Sequence, residues 1–199
     1  MMPDNINVQQ DAMFYVPLYK IALTPWREIK SEILRHIGDV DLNLGYDGGF
    51  YSDYHDVPDS NVALRGTQFP DYCIPVWNIL FPFLYPTIKE CLERELSLED
   101  VPNMWVQKYW KGNIHTIHNH GSIGYVCVLY LKYNPEVHKP IKFYAPFQHF
   151  FTGSMLSHSP EVAEGDLYFF PAVIPHTSQY NDTDEERMVL SFNMFEKKL

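Results

Sequence analysis

Three of the chain's nine histidines fall within six positions, in Gly112-Asn113-Ile114-His115-Thr116-Ile117-His118-Asn119-His120-Gly121. Gly112, Asn113, Ile114, Thr116 and Ile117 are poor helix formers, so the stretch reads as strand or turn. Side chains on a strand alternate with period two. His118 and His120 then share a face and can chelate one ion, while His115 and Asn119 point the other way. A third ligand must come from elsewhere. By itself an H-x-H pair is equally the pattern of solvated or hydrogen-bonded histidines.

The second half of the chain supplies what the pair lacks. It contains Glu164-Gly165-Asp166-Leu167-Tyr168-Phe169-Phe170-Pro171, then Pro175-His176, then Arg187-Met188-Val189-Leu190-Ser191-Phe192-Asn193. His176 sits in a mainly apolar, strand-like stretch, where the alternative is a hydrogen-bonded core histidine. Arg187 follows eleven residues later, across an acidic turn at 181–186, and opens an otherwise apolar strand. Either it is a solvated strand-end cation paired to that turn, or it points into a barrel. In the barrel it needs an anionic partner, because an unpaired buried charge is costly. A bound carboxylate would meet that need bidentately.

Elements able to hold these residues are readable around them. Residues 14–21 suggest a strand, with Pro17 marking an edge. Thr24 as N-cap and Pro25 at the first helical position open a helix through about Ile37. Residues 41–72 form a Gly/Asp/Ser/Tyr-rich loop region, long enough to suggest a lid or binding loop. A second helix is expected from about Val76 to Leu96, kinked or broken by Pro82 and Pro86. Strands are expected at 105–110, 123–133, 141–144, 165–170, 173–180 and 187–195, where β-branched and aromatic residues are punctuated by Gly, Pro, Asn and Asp. Two helices followed by six or more strands indicate an α+β chain whose second half is a sandwich or barrel. A length of 199 residues fits a single domain, with 1–100 as helical and loop support and 101–199 as the β core.

Composition narrows the function classes. A net charge of −10 with no lysine- or arginine-rich run disfavours duplex nucleic acid and anionic membrane surfaces as partners. Cys73, Cys91 and Cys127 are odd in number and lack a CxxC, so reduced buried thiols are expected rather than a disulfide framework. The first residues have neither a basic nor an apolar segment of a signal peptide. The most apolar stretch, 73–84, is too short for a membrane span. A soluble, cytoplasmic protein is the expectation.

The order H-x-H, then G-D-x-x-x-F-P-x-x-x-x-H, then Arg eleven residues on, resembles the Fe(II)/2-oxoglutarate-dependent oxygenase superfamily over roughly residues 105–195. It is most similar to small members from marine bacteria and tailed phages, relatives of the prolyl hydroxylases. The resemblance implies a double-stranded β-helix, a jelly-roll or cupin-like core with the N-terminal helices packed on one sheet. It implies Fe(II), 2-oxoglutarate and O2 as cofactor and cosubstrates, with release of succinate and CO2 and hydroxylation of an unidentified peptidyl residue or small metabolite. His118, His120 and His176 would be the metal ligands. Arg187 would bind the far carboxylate of 2-oxoglutarate, with Tyr130 and Tyr109 in the same pocket; for both tyrosines the alternative is a plain core aromatic.

Two departures from the family pattern stand out. His120 occupies the place usually held by Asp or Glu; either three histidines serve, or a carboxylate such as Glu136 or Asp166 joins. Some members have Arg-x-Ser, where the serine touches the cosubstrate; here Val189 stands there, and Ser191 is a candidate substitute. Phe143, Tyr144, Phe147, Phe150 and Phe151 are divided between cavity wall and sheet core, most of them expected in the core. A three-histidine zinc enzyme and a non-catalytic jelly-roll binding module are the competing functions, and the direction of Arg187 separates them. The sequence leaves substrate and oligomeric state open.

Overall fold

The computed structural model describes residues 15–40, 42–44, 49–54, 70–93, 95, 100, 101 and 103–194. Its elements are β1 (Tyr19–Ala22), α1 (Trp26–Ile37), β2 (Asn43–Leu44), β3 (Tyr51–Ser52), α2 (Cys73–Leu92), β4 (Asn103–Tyr109), β5 (His115–His118), β6 (Tyr125–Lys132), β7 (Ile141–Gln148), β8 (Met155–His158), β9 (Asp166–Pro171), β10 (His176–Ser178) and β11 (Arg187–Met194). Phe14, most of the 41–72 loop region, Leu96 and Phe195 lie outside the described residues.

Antiparallel pairing builds a seven-stranded sheet in the order β1-β9-β6-β11-β4-β3-β2 and a four-stranded sheet in the order β5-β10-β7-β8. Period-two alternation divides the hydrophobic residues between two cores. Tyr109, Val126, Val128, Tyr130, Phe170 and Val189 face the small sheet and meet Ile141 and Phe143. Their neighbours Val106, Cys127, Leu129, Phe169, Leu190 and Phe192 face the helices and meet Ile33, Val76, Leu80 and Leu84. Fully burying each aliphatic side chain of this second core stabilises the fold by about 1.5–3 kcal/mol. The jelly-roll core with its helices on one sheet is the architecture expected from the sequence.

Several boundaries differ from expectation. Helix α1 begins at Trp26 with Pro25 as N-cap and no side-chain cap. The Trp26 N–H is already taken by the Leu23 carbonyl (2.9 Å), so Thr24 caps nothing. Helix α2 runs unbroken through Pro82 and Pro86. Both prolines and Asn78 are exposed, so the carbonyls that lose a donor lie on the solvent side, where water can replace it. Strand β8 has no counterpart among the expected strands, and β10 occupies only three residues of the span 173–180.

Glu164 and Gly165 join α1 to the sheet. Glu164 Oε1 accepts from Trp26 Nε1 (3.2 Å) and Lys30 Nζ (2.5 Å), and its Oε2 accepts from the Tyr133 N–H (3.2 Å). Gly165 has φ +88°, and a Cβ there would lie 2.4 Å from Trp26 Cγ. Gly165→Ala therefore combines left-handed strain with a clash against a large buried ring. It should destabilise the protein by about 2–4 kcal/mol, read as a lowered denaturation midpoint; a loss below 0.5 kcal/mol, the range of ordinary surface substitutions, would show that the Trp26 contact is not what fixes this turn.

Candidate metal centre

Strand β10 brings the distal histidine to the cluster. His176 pairs with His118 and Ser178 with His115, so three steps on β5 match two on β10. That bulge breaks the alternation assumed for the histidine stretch. His115 therefore does not point away: its ring stacks on His118 at 3.7 Å between centroids, and it lines the same cavity. His120 lies beyond β5, where its N–H donates to the Ala172 carbonyl (2.9 Å) just past β9. One ligand atom from each of His118, His120 and His176 lies within 4.8 Å of the others.

The ring hydrogen bonds decide which nitrogens can bind metal. His118 Nδ1 is 2.8 Å from the Thr116 carbonyl and His176 Nδ1 is 2.9 Å from the Ile174 carbonyl. A carbonyl only accepts, so both Nδ1 atoms carry the proton and both Nε2 lone pairs are left for an ion. His120 Nδ1 is 2.9 Å from Asn193 Oδ1, which gives the same polarity. Burial, then the adjacent His118, pushes His120 down to about 4. Burial first, then His118 and His120, holds His176 well below the ordinary histidine range. Both rings are neutral at neutral pH, the state a metal requires.

Neither candidate carboxylate joins this group among the described residues. Glu136 is exposed. Asp166 accepts from the Ala163 N–H (2.8 Å) and lies 3.6 Å from Lys20.

Arg187 lies inside the sandwich, 1% exposed, and not in the acidic turn. Its Nη1 donates to the Lys139 carbonyl (2.6 Å), and its Nη2 donates to Ser178 Oγ (3.0 Å) and the Gln179 carbonyl (2.7 Å). The guanidinium carbon sits 4.4 Å from the centre of the Tyr109 ring. Among the described residues its buried Nε has no hydrogen-bond partner, and no carboxylate is in ion-pair reach. The acidic turn is engaged elsewhere, Asp182 with Lys139, Asp184 with Lys111 and Glu186 with Lys132. Burial lowers the Arg187 pKa, but arginine keeps its charge in proteins.

A narrow cavity of about 30 Å³ joins Arg187, Tyr109, Tyr130, Gln107 and Ser191 to the histidines. Tyr130 Oη accepts from the Ile141 N–H (3.1 Å), and burial raises its pKa, so its own proton is retained for donation. Ser191 Oγ donates to Gln107 Oε1 (3.1 Å) and not to Arg187. The hydroxyl at the guanidinium is Ser178, which the sequence reading missed although it lies two residues after His176 on the same face. Gln107, two before Tyr109, was missed in the same way. A second cleft of about 300 Å³ is lined by Leu18, Phe143, Ala145, Phe147, Leu156 and Ile174, and its Phe143 ring lies 6.2 Å from the His176 ring between centroids. Phe143 is core, whereas Phe150 and Phe151 are exposed in the β7–β8 turn. No described helix is long and apolar enough to cross a membrane.

Comparison with known proteins agrees with this geometry. The family described as "Putative 2OG-Fe(II) oxygenase" matches residues 103–193. No curated protein matches the chain in sequence. Among solved structures, a prolyl-4-hydroxylase of Pseudomonas putida is 14% identical, with TM-score 0.54, covering 90% of this chain and 93% of its own. A 2OG-Fe(II) oxygenase family oxidoreductase of Burkholderia pseudomallei is 9% identical, with TM-score 0.64 and coverages of 89% and 84%. HygX of Streptomyces hygroscopicus, solved with nickel, 2-oxoglutarate and hygromycin B, is 13% identical, with TM-score 0.56 and coverages of 90% and 83%. At these identities the structural likeness establishes the fold.

The half-buried ring of His120 sets a pH dependence for the metal-free protein. Between its ordinary value of 6.5 and about 4, the unfolded chain binds a proton that the folded chain does not. Stability is therefore full above 6.5 and falls as the pH drops towards 4, by roughly 2 kcal/mol from this group. Urea midpoints of the metal-free protein at pH 7 and 4.5 measure the loss. His120→Asn should flatten the slope in that window, and an unchanged slope would exclude His120 as its source.

Proposed function

Because residues 103–193 match the family described as "Putative 2OG-Fe(II) oxygenase", we propose that the chain hydroxylates a C–H bond of a peptidyl residue or small metabolite at an iron held by His118, His120 and His176. The observation that carries this reading is the buried Arg187 guanidinium, with no carboxylate near it among the described residues, in the same cavity as the three imidazoles. A zinc hydrolase or a binding module has no use for a cation buried there. An oxygenase does: the far carboxylate of 2-oxoglutarate is the missing counter-ion.

The donor set fits the group. Three imidazoles, each with its Nδ1 proton placed by an acceptor, suit a divalent iron and leave coordination positions for ligands. Bound Fe(II), with 2-oxoglutarate and O2, supplies an oxidative decarboxylation that yields succinate and CO2 and hydroxylates the substrate.

The chain's own residues bind, orient and shield. Arg187 offers Nε to the far carboxylate, and its bond to Ser178 Oγ, the longest of its three at 3.0 Å, is the one to yield as the narrow cavity widens. Tyr130 donates its phenol proton to the same carboxylate. The Tyr109 ring backs the guanidinium on one face and so fixes the direction in which Arg187 can donate. Ser191 acts through Gln107, which it holds against the pocket wall. Phe170 meets the His176 ring edge-on at 4.8 Å between centroids and keeps water from that side of the centre. The substrate's apolar portion would lie in the cleft beside His176, where Phe143 and Ile174 form the near wall.

Anaerobic protein given Fe(II) and 2-oxoglutarate should develop a metal-to-ligand charge-transfer band, and O2 should then release succinate. Arg187→Ala should raise the 2-oxoglutarate concentration needed for the band by about tenfold or more. No band in the wild type, or an undiminished band and unchanged succinate yield in Arg187→Ala, would remove the assignment.

His120→Asp tests the third ligand separately. If His120 binds the ion, iron affinity shifts when a carboxylate replaces the ring; indifference would show that it stands outside the coordination sphere.

A further inference from the structure

The proton positions of the three histidines are fixed by two different devices. His118 and His176 donate Nδ1–H to backbone carbonyls, which cannot turn round. His120 donates to a side-chain amide, Asn193, whose oxygen and NH2 exchange places if the amide flips. With the NH2 facing the ring, Nδ1 would have to accept, the proton would move to Nε2, and the lone pair facing the centre would be lost. Something must therefore hold that amide.

Asn103 holds it. Asn193 is the register partner of Asn103 across β11 and β4. Asn103 Oδ1 accepts from Asn193 Nδ2 (2.9 Å) and from the Asn193 backbone N–H (3.4 Å). Both asparagines are nearly inaccessible, at 2% and 4% exposure. With Nδ2 committed to Asn103, Asn193 Oδ1 must face His120. The indole of Trp105, also on β4, stacks on the His120 ring at 5.7 Å and 19° and limits its rotation.

We propose that Asn193, locked by Asn103, is the positioning residue that sets the His120 tautomer and lets a neutral ring serve as the third metal ligand. The proposal rests on the metal reading above. An acidic ligand at this place would need no such device, since a carboxylate offers a lone pair from either oxygen.

Co(II) binding and the proton spectrum of the Co(II) protein test it without turnover. The wild type should show three solvent-exchangeable, hyperfine-shifted N–H signals, one per Nδ1. Asn193→Ala should weaken Co(II) binding about 10–100-fold and remove one signal, whereas Asn193→Asp, which keeps the acceptor, should restore both. Asn103→Ala should weaken binding and Asn103→Asp should not; this pair decides the matter if Asn193→Ala does not fold. In a His120→Asp background, Asn193→Ala should have no further effect on affinity.

Wild-type affinity with all three signals in Asn193→Ala would overturn the proposal. So would an equal loss in the His120→Asp background, since that marks a structural role. A wild type that binds no Co(II), or a His118→Ala variant that binds it undiminished, would overturn the metal reading and the relay with it.

Discussion

The structure depends on the register of one strand. β11 lies between β6 and β4, and all eight of its residues are buried. Met188, Leu190, Phe192 and Met194 pack under the helices. Arg187, Val189, Ser191 and Asn193 alternate with them and face the small sheet. A slip of one residue would bury Arg187 and Asn193 among helix side chains and turn four large apolar groups into the cavity. The apolar half of the strand thus fixes where the polar half stands. In the proposed reading, one strand places both the carboxylate-binding arginine and the residue that orients a metal ligand.

Charge in this interior is managed with dipoles more than with ions. Arg187 is met by two carbonyls, a hydroxyl and the face of an aromatic ring. His120 and His176 are held neutral by burial and by neighbouring imidazoles, while fixed acceptors place the Nδ1 protons. In the oxygenase reading, with His120 in place of an acid, a divalent ion would keep its full double charge until a dianion arrives. The guanidinium adds a further positive charge in the same low-dielectric space, where the attraction is stronger than in water. In the oxygenase reading, a three-histidine centre is thus matched to a doubly charged acid that spans it and Arg187.

Much of this was legible in the sequence, and the failures have physical causes. The family resemblance, not the residues alone, named His176, Arg187, Tyr109, Tyr130 and Ser191; on its own the sequence left Arg187 open between the acidic turn and the barrel. Period-two alternation paired His118 with His120. It failed at His115, because a bulge is a pairing feature: three steps along β5 oppose two along β10, and nothing in β5 alone announces its partner's count. The prolines of α2 misled for a related reason. Proline predicts a lost hydrogen bond, but whether water can replace that bond depends on which face the helix buries.

The bulge also explains why Ser191 stands apart from Arg187. By bringing His115 inward it creates a ring nitrogen that needs a partner on the cavity wall. Gln107 Nε2 donates to His115 Nδ1 (3.3 Å), and Gln107 Oε1 in turn accepts from Ser191 Oγ. The amide serves both partners at once, so the serine hydroxyl is committed to Gln107. The same β5–β10 pairing puts Ser178 opposite His115, where its hydroxyl reaches Arg187. One irregularity in strand pairing thereby moves the hydroxyl at the guanidinium from β11 to β10. A serine spaced from the arginine along β11 is then the wrong place to look for it.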